Sequence, residues 1–252
     1  MTAAIHKGWI VISPDFLGPE SAFLANKLAG HATLDGIRAA LKSADFTGVS
    51  KSPTPEYAPE LKIAGAAVGG LVPSIATTLA TVNGAANAGL VAGGILGLTK
   101  VYSELRQIVD KHILPKYRKP FYKALKQCSL ANGKELFGQD VMAMFDDRNL
   151  ILTNPKITGI LHENDIGKHT PRIPLFAYKA VADEVSPINE TDKLINKYCT
   201  EGASIVYERY EASTHIDALL TAAPKVLAWL DDIMNHKNHQ KGCKTSTMLL
   251  SQ

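Results

Sequence analysis

Four short apolar and β-branched runs, separated by stretches of helical spacing, constrain this chain more than any other feature. The runs are Gly8 to Ser13, Leu61 to Val68, Ile173 to Ala182 and Ala203 to Tyr210. Apolar residues recur at helical intervals from Ser21 to Leu41, where Gly30 is expected to separate two helices, and again at Glu190 to Lys197 and Ala218 to His236. Strands that alternate with helices build a parallel sheet covered on both faces, which is why each strand reads as a nearly continuous apolar run. The expected class is α/β.

The second and third runs are separated by Leu71 to Arg172, an interval far longer than an ordinary crossover. An inserted, mainly helical cap is expected over 71–172, leaving 1–70 and 173–252 as the sheet-bearing core. From Lys100 to Phe145 the pattern is helical, with Val101, Leu105, Ile108 and Val109 on one stripe and Pro115 and Pro120 as punctuation. The uncharged stretch Ile63 to Thr99 is long enough to span a bilayer. Pro73, Asn83, Asn87 and eight glycines divide it, so a buried strand followed by cap helices is expected in place of a transmembrane helix.

Composition excludes several classes of partner. Lys plus Arg number 27 against 24 Asp plus Glu, and the net charge of +3 is spread without a basic run, so nucleic acid is not expected. Three cysteines without a C-x-x-C pair argue against structural zinc and leave room for one bridge and one thiol. The residues Met1 to Lys7 lead directly into Gly8 to Ser13 without the basic and apolar regions of a signal peptide. The glycine-rich Ala85 to Gly97 lacks both Gly-x-Gly-x-x-Gly and a Lys-Ser/Thr ending, so no nucleotide site or other cofactor is expected. His236 and His239 read as a solvated tail and Asp146-Asp147 as a helix terminus, so no metal site is expected either. No pattern specifies an oligomeric state.

The chemistry-bearing residues lie just past the last two strands. Asp183 follows the third run, and His215 follows the fourth in Glu211-Ala212-Ser213-Thr214-His215. Both positions fall at the C-terminal edge of a parallel sheet, where sites of open α/β sheets collect. An acid after one strand and a histidine after the next is the order in which α/β hydrolases place the last two members of a Ser, Asp, His triad. In such a triad the carboxylate orients the imidazole and the imidazole relays the nucleophile's proton.

Several segments, namely Gly8-Trp9-Ile10-Val11-Ile12-Ser13-Pro14-Asp15, Gly18-Pro19-Glu20-Ser21-Ala22-Phe23, Leu34-Asp35-Gly36-Ile37-Arg38, Tyr57-Ala58-Pro59-Glu60-Leu61 and Lys179-Ala180-Val181-Ala182-Asp183-Glu184-Val185-Ser186-Pro187, closely resemble the fungal secretory lipase family. The resemblance implies an incomplete α/β-hydrolase parallel sheet with an inserted helical cap, secretion, and hydrolysis of triacylglycerols or other carboxylic esters in lipid catabolism. It assigns Asp183 as the triad acid and His215 as the triad base. Some relatives remove acetyl groups from fungal secondary metabolites, which makes a deacetylase an alternative. Asn189-Glu190-Thr191 is a glycosylation acceptor by pattern, relevant on the secretory route. Cys199 and Cys243 are expected to pair. Cys128 is expected to remain free, because the family's cap cysteine pairs with one in an N-terminal region that this chain lacks.

The departures from the family bear on activity. The family carries a nucleophile elbow, Gly-Tyr-Ser-Gly-Gly, between the Phe-Thr-Gly and Tyr-Ala-Pro-Glu-Leu segments. Here Phe46-Thr47-Gly48-Val49-Ser50 runs through Lys51 to Glu56 straight into Tyr57. The long N-terminal part of family members, with the first strands and an oxyanion-hole donor, is absent as well. Ser50 is a poor substitute, since Gly48-Val49-Ser50-Lys51-Ser52 keeps one glycine of the elbow and sits in a proline-rich loop. The chain is therefore expected to be inactive as written. A non-catalytic lipid- or partner-binding role is the rival of a different class.

Overall fold

A computed structural model describes residues 2–42, 61–211, 214–237 and 241–249. Its four strands pair into one parallel sheet: β1 (Ala66–Gly69), β2 (Leu175–Ala180), β3 (Ile205–Tyr210) and β4 (Cys243–Met248), in that spatial order. Ala66 lies opposite Leu175, Leu175 opposite Ile205, and Ile205 opposite Cys243. All six residues of β2 are buried, as an interior strand covered on both faces requires.

Alternation along the strands selects what each face packs against. Leu175, Ala177, Ile205 and Tyr207 face one way and meet Leu194, Ile195 and Tyr198 of the helix Ile188–Thr200. Phe176, Tyr178 and Tyr210 face the other way and meet Ala222, Val226 and Trp229 of the helix His215–Met234. In the first of these helices, Thr191, Leu194, Ile195 and Tyr198 recur at three- and four-residue intervals, which gives the buried stripe of an amphipathic helix.

Between β1 and β2 the chain forms helices with a separate apolar core. In chain order, the eleven α-helices are α1 (Thr2–His6), α2 (Asn26–Lys42), α3 (Ile75–Val82), α4 (Gly89–Leu98), α5 (Ser103–His112), α6 (Pro115–Lys123), α7 (Ser129–Glu135), α8 (Leu150–Thr153), α9 (Pro155–Asn164), α10 (Ile188–Thr200) and α11 (His215–Met234), counted among the described residues. The helix α4 is the centre of the second core, with Val91, Ala92, Ile95, Leu96 and Leu98 buried against residues such as Leu79, Val109, Phe121 and Phe145. Its glycines permit close approach. A Cβ on Gly97 would come within 2.4 Å of the Phe23 carbonyl oxygen. No helix of the described residues is long and apolar enough to cross a membrane.

Four expectations from the sequence need correction. The run Gly8 to Ser13 is not a strand: residues 9–15 pair with no neighbour among the described residues, and Ile10, Val11 and Ile12 are exposed. A strand exists only through the ladder it shares, so β propensity alone does not make one. The expected helices of Ser21 to Leu41 are one helix that begins at Asn26 and runs through Gly30, while Ser21 and Leu24 adopt positive φ (50° and 67°) in a loop that docks Phe23 and Leu24 onto the glycine face of α4. The second run contributes only Ala66–Gly69 to the sheet. The polar C-terminal residues, read as a tail, form the edge strand β4. An edge strand with one solvated side tolerates Lys244, Thr245, Ser246 and Thr247.

Candidate active site

Asp183 and His215 meet at the C-terminal edge of the sheet. The first lies three residues past β2, and the second opens α11, where the Thr214 hydroxyl caps the helix by accepting from the Asp217 N–H. The His215 Nδ1 lies 2.8 Å from Asp183 Oδ2. The Asp183 side chain is fully buried and that of His215 is 25% exposed, so the imidazole reaches towards solvent from a buried support.

Every acceptor direction of the Asp183 carboxylate is used. Oδ1 accepts the backbone N–H groups of Val185 and Ser186 at 2.9 and 2.8 Å, while Oδ2 receives His215 and lies 3.0 Å from the Lys179 ammonium. Burial pushes this carboxyl's pKa up, but the His215 and Ser186 hydrogen bonds and the Lys179 charge outweigh it and hold it at about 2. An ionised carboxylate can only accept, so Nδ1 carries a proton, and the lone pair of a neutral ring falls on Nε2. Burial also pushes the Lys179 ammonium pKa down, against the pull of Asp183.

Neighbouring groups hold the imidazole from two further directions. The Glu184 carboxylate accepts the His215 backbone N–H at 2.9 Å, so consecutive acids grip its main chain and its ring. Gly70, at φ +59°, lies against the ring, and a Cβ there would sit 2.7 Å from His215 Cε1. Among the described residues no hydrogen bond engages Nε2. The histidine can therefore take a proton from a group placed at its open side.

The structure brings Asp183 and His215 together, while Ser50 and His239 lie outside the described residues. Cys199 and Cys243 are bonded, with Cα atoms 5.8 Å apart, and Cys128 is an exposed free thiol. Asn189 is exposed in the first turn of α10, whereas Thr191 is buried and donates to the Leu71 carbonyl. Asp146 accepts from His112, and no group of acids, histidines or cysteines suited to a metal ion occurs among the described residues. A cleft of about 1400 Å³ lies elsewhere, between α2 and the segment leading to Arg172, and neither Asp183 nor His215 lines it. Sequence reasoning passes over Lys179, Glu184 and Gly70. A lone lysine inside the run Ile173 to Ala182 is the signal that points to the first.

The family model described as "Secretory lipase" matches residues 1–54 and 52–242. Lipase A of Arthroderma benhamiae is 39% identical over 273 residues, covering 100% of this chain and 58% of that protein. The chain belongs to the secretory lipase family. Also similar in sequence is the trichothecene C-3 esterase of Fusarium sporotrichioides, 33% identical over 96% of this chain and 61% of that protein. The chain thus spans about three-fifths of the length of these relatives. The crystal structure of Candida antarctica lipase A matches the fold with a TM-score of 0.89 at 23% identity, over 98% of this chain and 63% of that one. This parallel sheet is accordingly part of an α/β-hydrolase fold.

Proposed function

We propose that this chain is part of a secreted serine carboxylic-ester hydrolase, with Asp183 as the triad acid and His215 as the base, and that its nucleophile elbow is missing. The observation that carries the reading is the 2.8 Å contact between Asp183 Oδ2 and His215 Nδ1 at the sheet's C-terminal edge. In the complete site, His215 Nε2 would take the proton of a serine hydroxyl as its oxygen attacks the ester carbonyl. It would then return that proton to the departing alcohol, leaving an acyl-enzyme for water to hydrolyse. Residues 71–172 would form the cap over this edge.

Two features support a missing internal segment. The family match is split at residues 52–54, where the elbow is expected. The alignment with Lipase A covers 273 positions, at least 21 more than the chain's 252 residues. Substrates would be lipid or other carboxylic esters; the Fusarium relative, named a trichothecene C-3 esterase, supports an ester of that kind as a second reading, within which removal of an acetyl group is the alternative to be tested.

A fluorophosphonate probe tests this. The chain as it stands should remain unlabelled and should not hydrolyse a nitrophenyl ester above a His215→Ala control. Inserting the relative's elbow segment after Ser50 should produce labelling that His215→Ala abolishes. A folded insertion variant whose labelling is indifferent to His215 would sink the assignment. Acetyl against long-chain nitrophenyl esters would then separate the two substrate readings.

A further inference from the structure

Lys179 is the one charged side chain of β2, and it is completely buried. Taking an ammonium out of water costs several kcal/mol, and a hydrophobic residue of similar volume often packs as well or better. Packing alone therefore gives a poor account of a lysine here. Its Nζ donates to the Leu71 carbonyl at 2.8 Å and lies 3.0 Å from Asp183 Oδ2, the oxygen that also receives His215. The Leu71 carbonyl takes a second donor, the Thr191 hydroxyl of α10, at 3.3 Å.

We propose that Lys179 is a positioning residue that holds Asp183 Oδ2 in the direction required by the His215 ring. The proposal rests on the reading of Asp183 and His215 as acid and base. The two backbone donors of Val185 and Ser186 anchor Oδ1 only, and a carboxylate held by one oxygen can swing the other. His215 is the outer, partly exposed partner. Lys179 supplies the inner one, fixed by a strand paired on both sides and by a main-chain carbonyl. Because Leu71 lies where the chain leaves β1 for the helices, the same ammonium links that exit to the acid. The charged and titratable groups around the carboxylate are Lys179 on β2, His215 on α11 and Glu184 in its own loop, whose Oε2 is held on the His215 N–H.

The test uses the full chain with ¹⁵N-labelled histidine and lysine. In the parent, the His215 Nδ1 proton should give a slowly exchanging resonance. In Lys179→Met, with the remaining amide spectrum unchanged, its exchange should accelerate about tenfold or more, equivalent to losing one charge-assisted hydrogen bond. A role confined to packing would leave that proton unmoved, and an unchanged exchange rate overturns the proposal. If Lys179→Met does not fold, the parent decides. Its Lys179 Nζ should give a protected ammonium signal with a through-space contact to the His215 ring, and an unprotected signal overturns the proposal. Failure of the elbow insertion to restore labelling would leave both resonances intact, so the two failures are separable.

Discussion

Replacing Asp183 with Asn tests the buried carboxylate through stability rather than activity. The Asp183 side chain is fully buried, and its pKa falls from an ordinary 3.8 to about 2. At about 1.4 kcal/mol per unit, ionised Asp183 contributes about 2 kcal/mol to folding. Because the folded pKa is the depressed one, this contribution is complete above about pH 4 and disappears as pH falls through about 2. Asp183→Asn also leaves the Lys179 ammonium without its counterion and turns an amide N–H₂ or a mismatched oxygen towards His215 and Lys179. Breaking a buried pair in this way costs about 3 to 5 kcal/mol. Urea denaturation followed by tryptophan fluorescence should therefore show a gap of that size at pH 7 between parent and variant. The gap should narrow by about 2 kcal/mol between pH 5 and pH 2, because only the parent has that ionisation to lose. A gap below about 1 kcal/mol at pH 7, or one that is constant with pH, would refute the reasoning.

Three further outcomes are expected. Gly97→Ala should lower stability by about 1 to 3 kcal/mol in urea titrations, because its Cβ would overlap the Phe23 backbone and overpack α4; an unchanged midpoint would show that the loop yields freely. Reduction of Cys199–Cys243, which closes a separation of 44 residues, should cost about 4 kcal/mol on the loop-entropy model and speed amide exchange across β4 before β2. Expression through a fungal secretory pathway, with a leader supplied, should add a glycan to exposed Asn189; treatment with an N-glycosidase that leaves the mass unchanged would count against it.

What the sequence made legible depended on how many neighbours each segment needs. For α10 and α11 the apolar spacing suffices, and for β2 burial on both faces writes an unbroken run. The Asp183 and His215 positions were readable because the ends of successive parallel strands share one edge. The strand β4 was not readable, since Lys-Thr-Ser-Thr resembles a solvated tail and only its pairing with β3 and its bridge to α10 define it. Gly8 to Ser13 misled for the converse reason: its residues have strand character, but the described residues provide no ladder beside them. Lys179 joins two partners, Asp183 four residues on and the Leu71 carbonyl 108 residues back, and no local pattern encodes the second.

The bridge between α10 and β4 also sets a problem of timing. Synthesis runs from the N-terminus, so Cys128 and Cys199 are both present before Cys243, which follows Cys199 by 44 residues. Cys128 remains on the surface when folding is complete. Were Cys128 and Cys199 to oxidise together during that interval, the last strand could be fastened only after thiol exchange had undone that pair. In that case isomerisation would govern the yield of correctly fastened chain, and removing the Cys128 sulfur should raise it without touching any contact of the sheet.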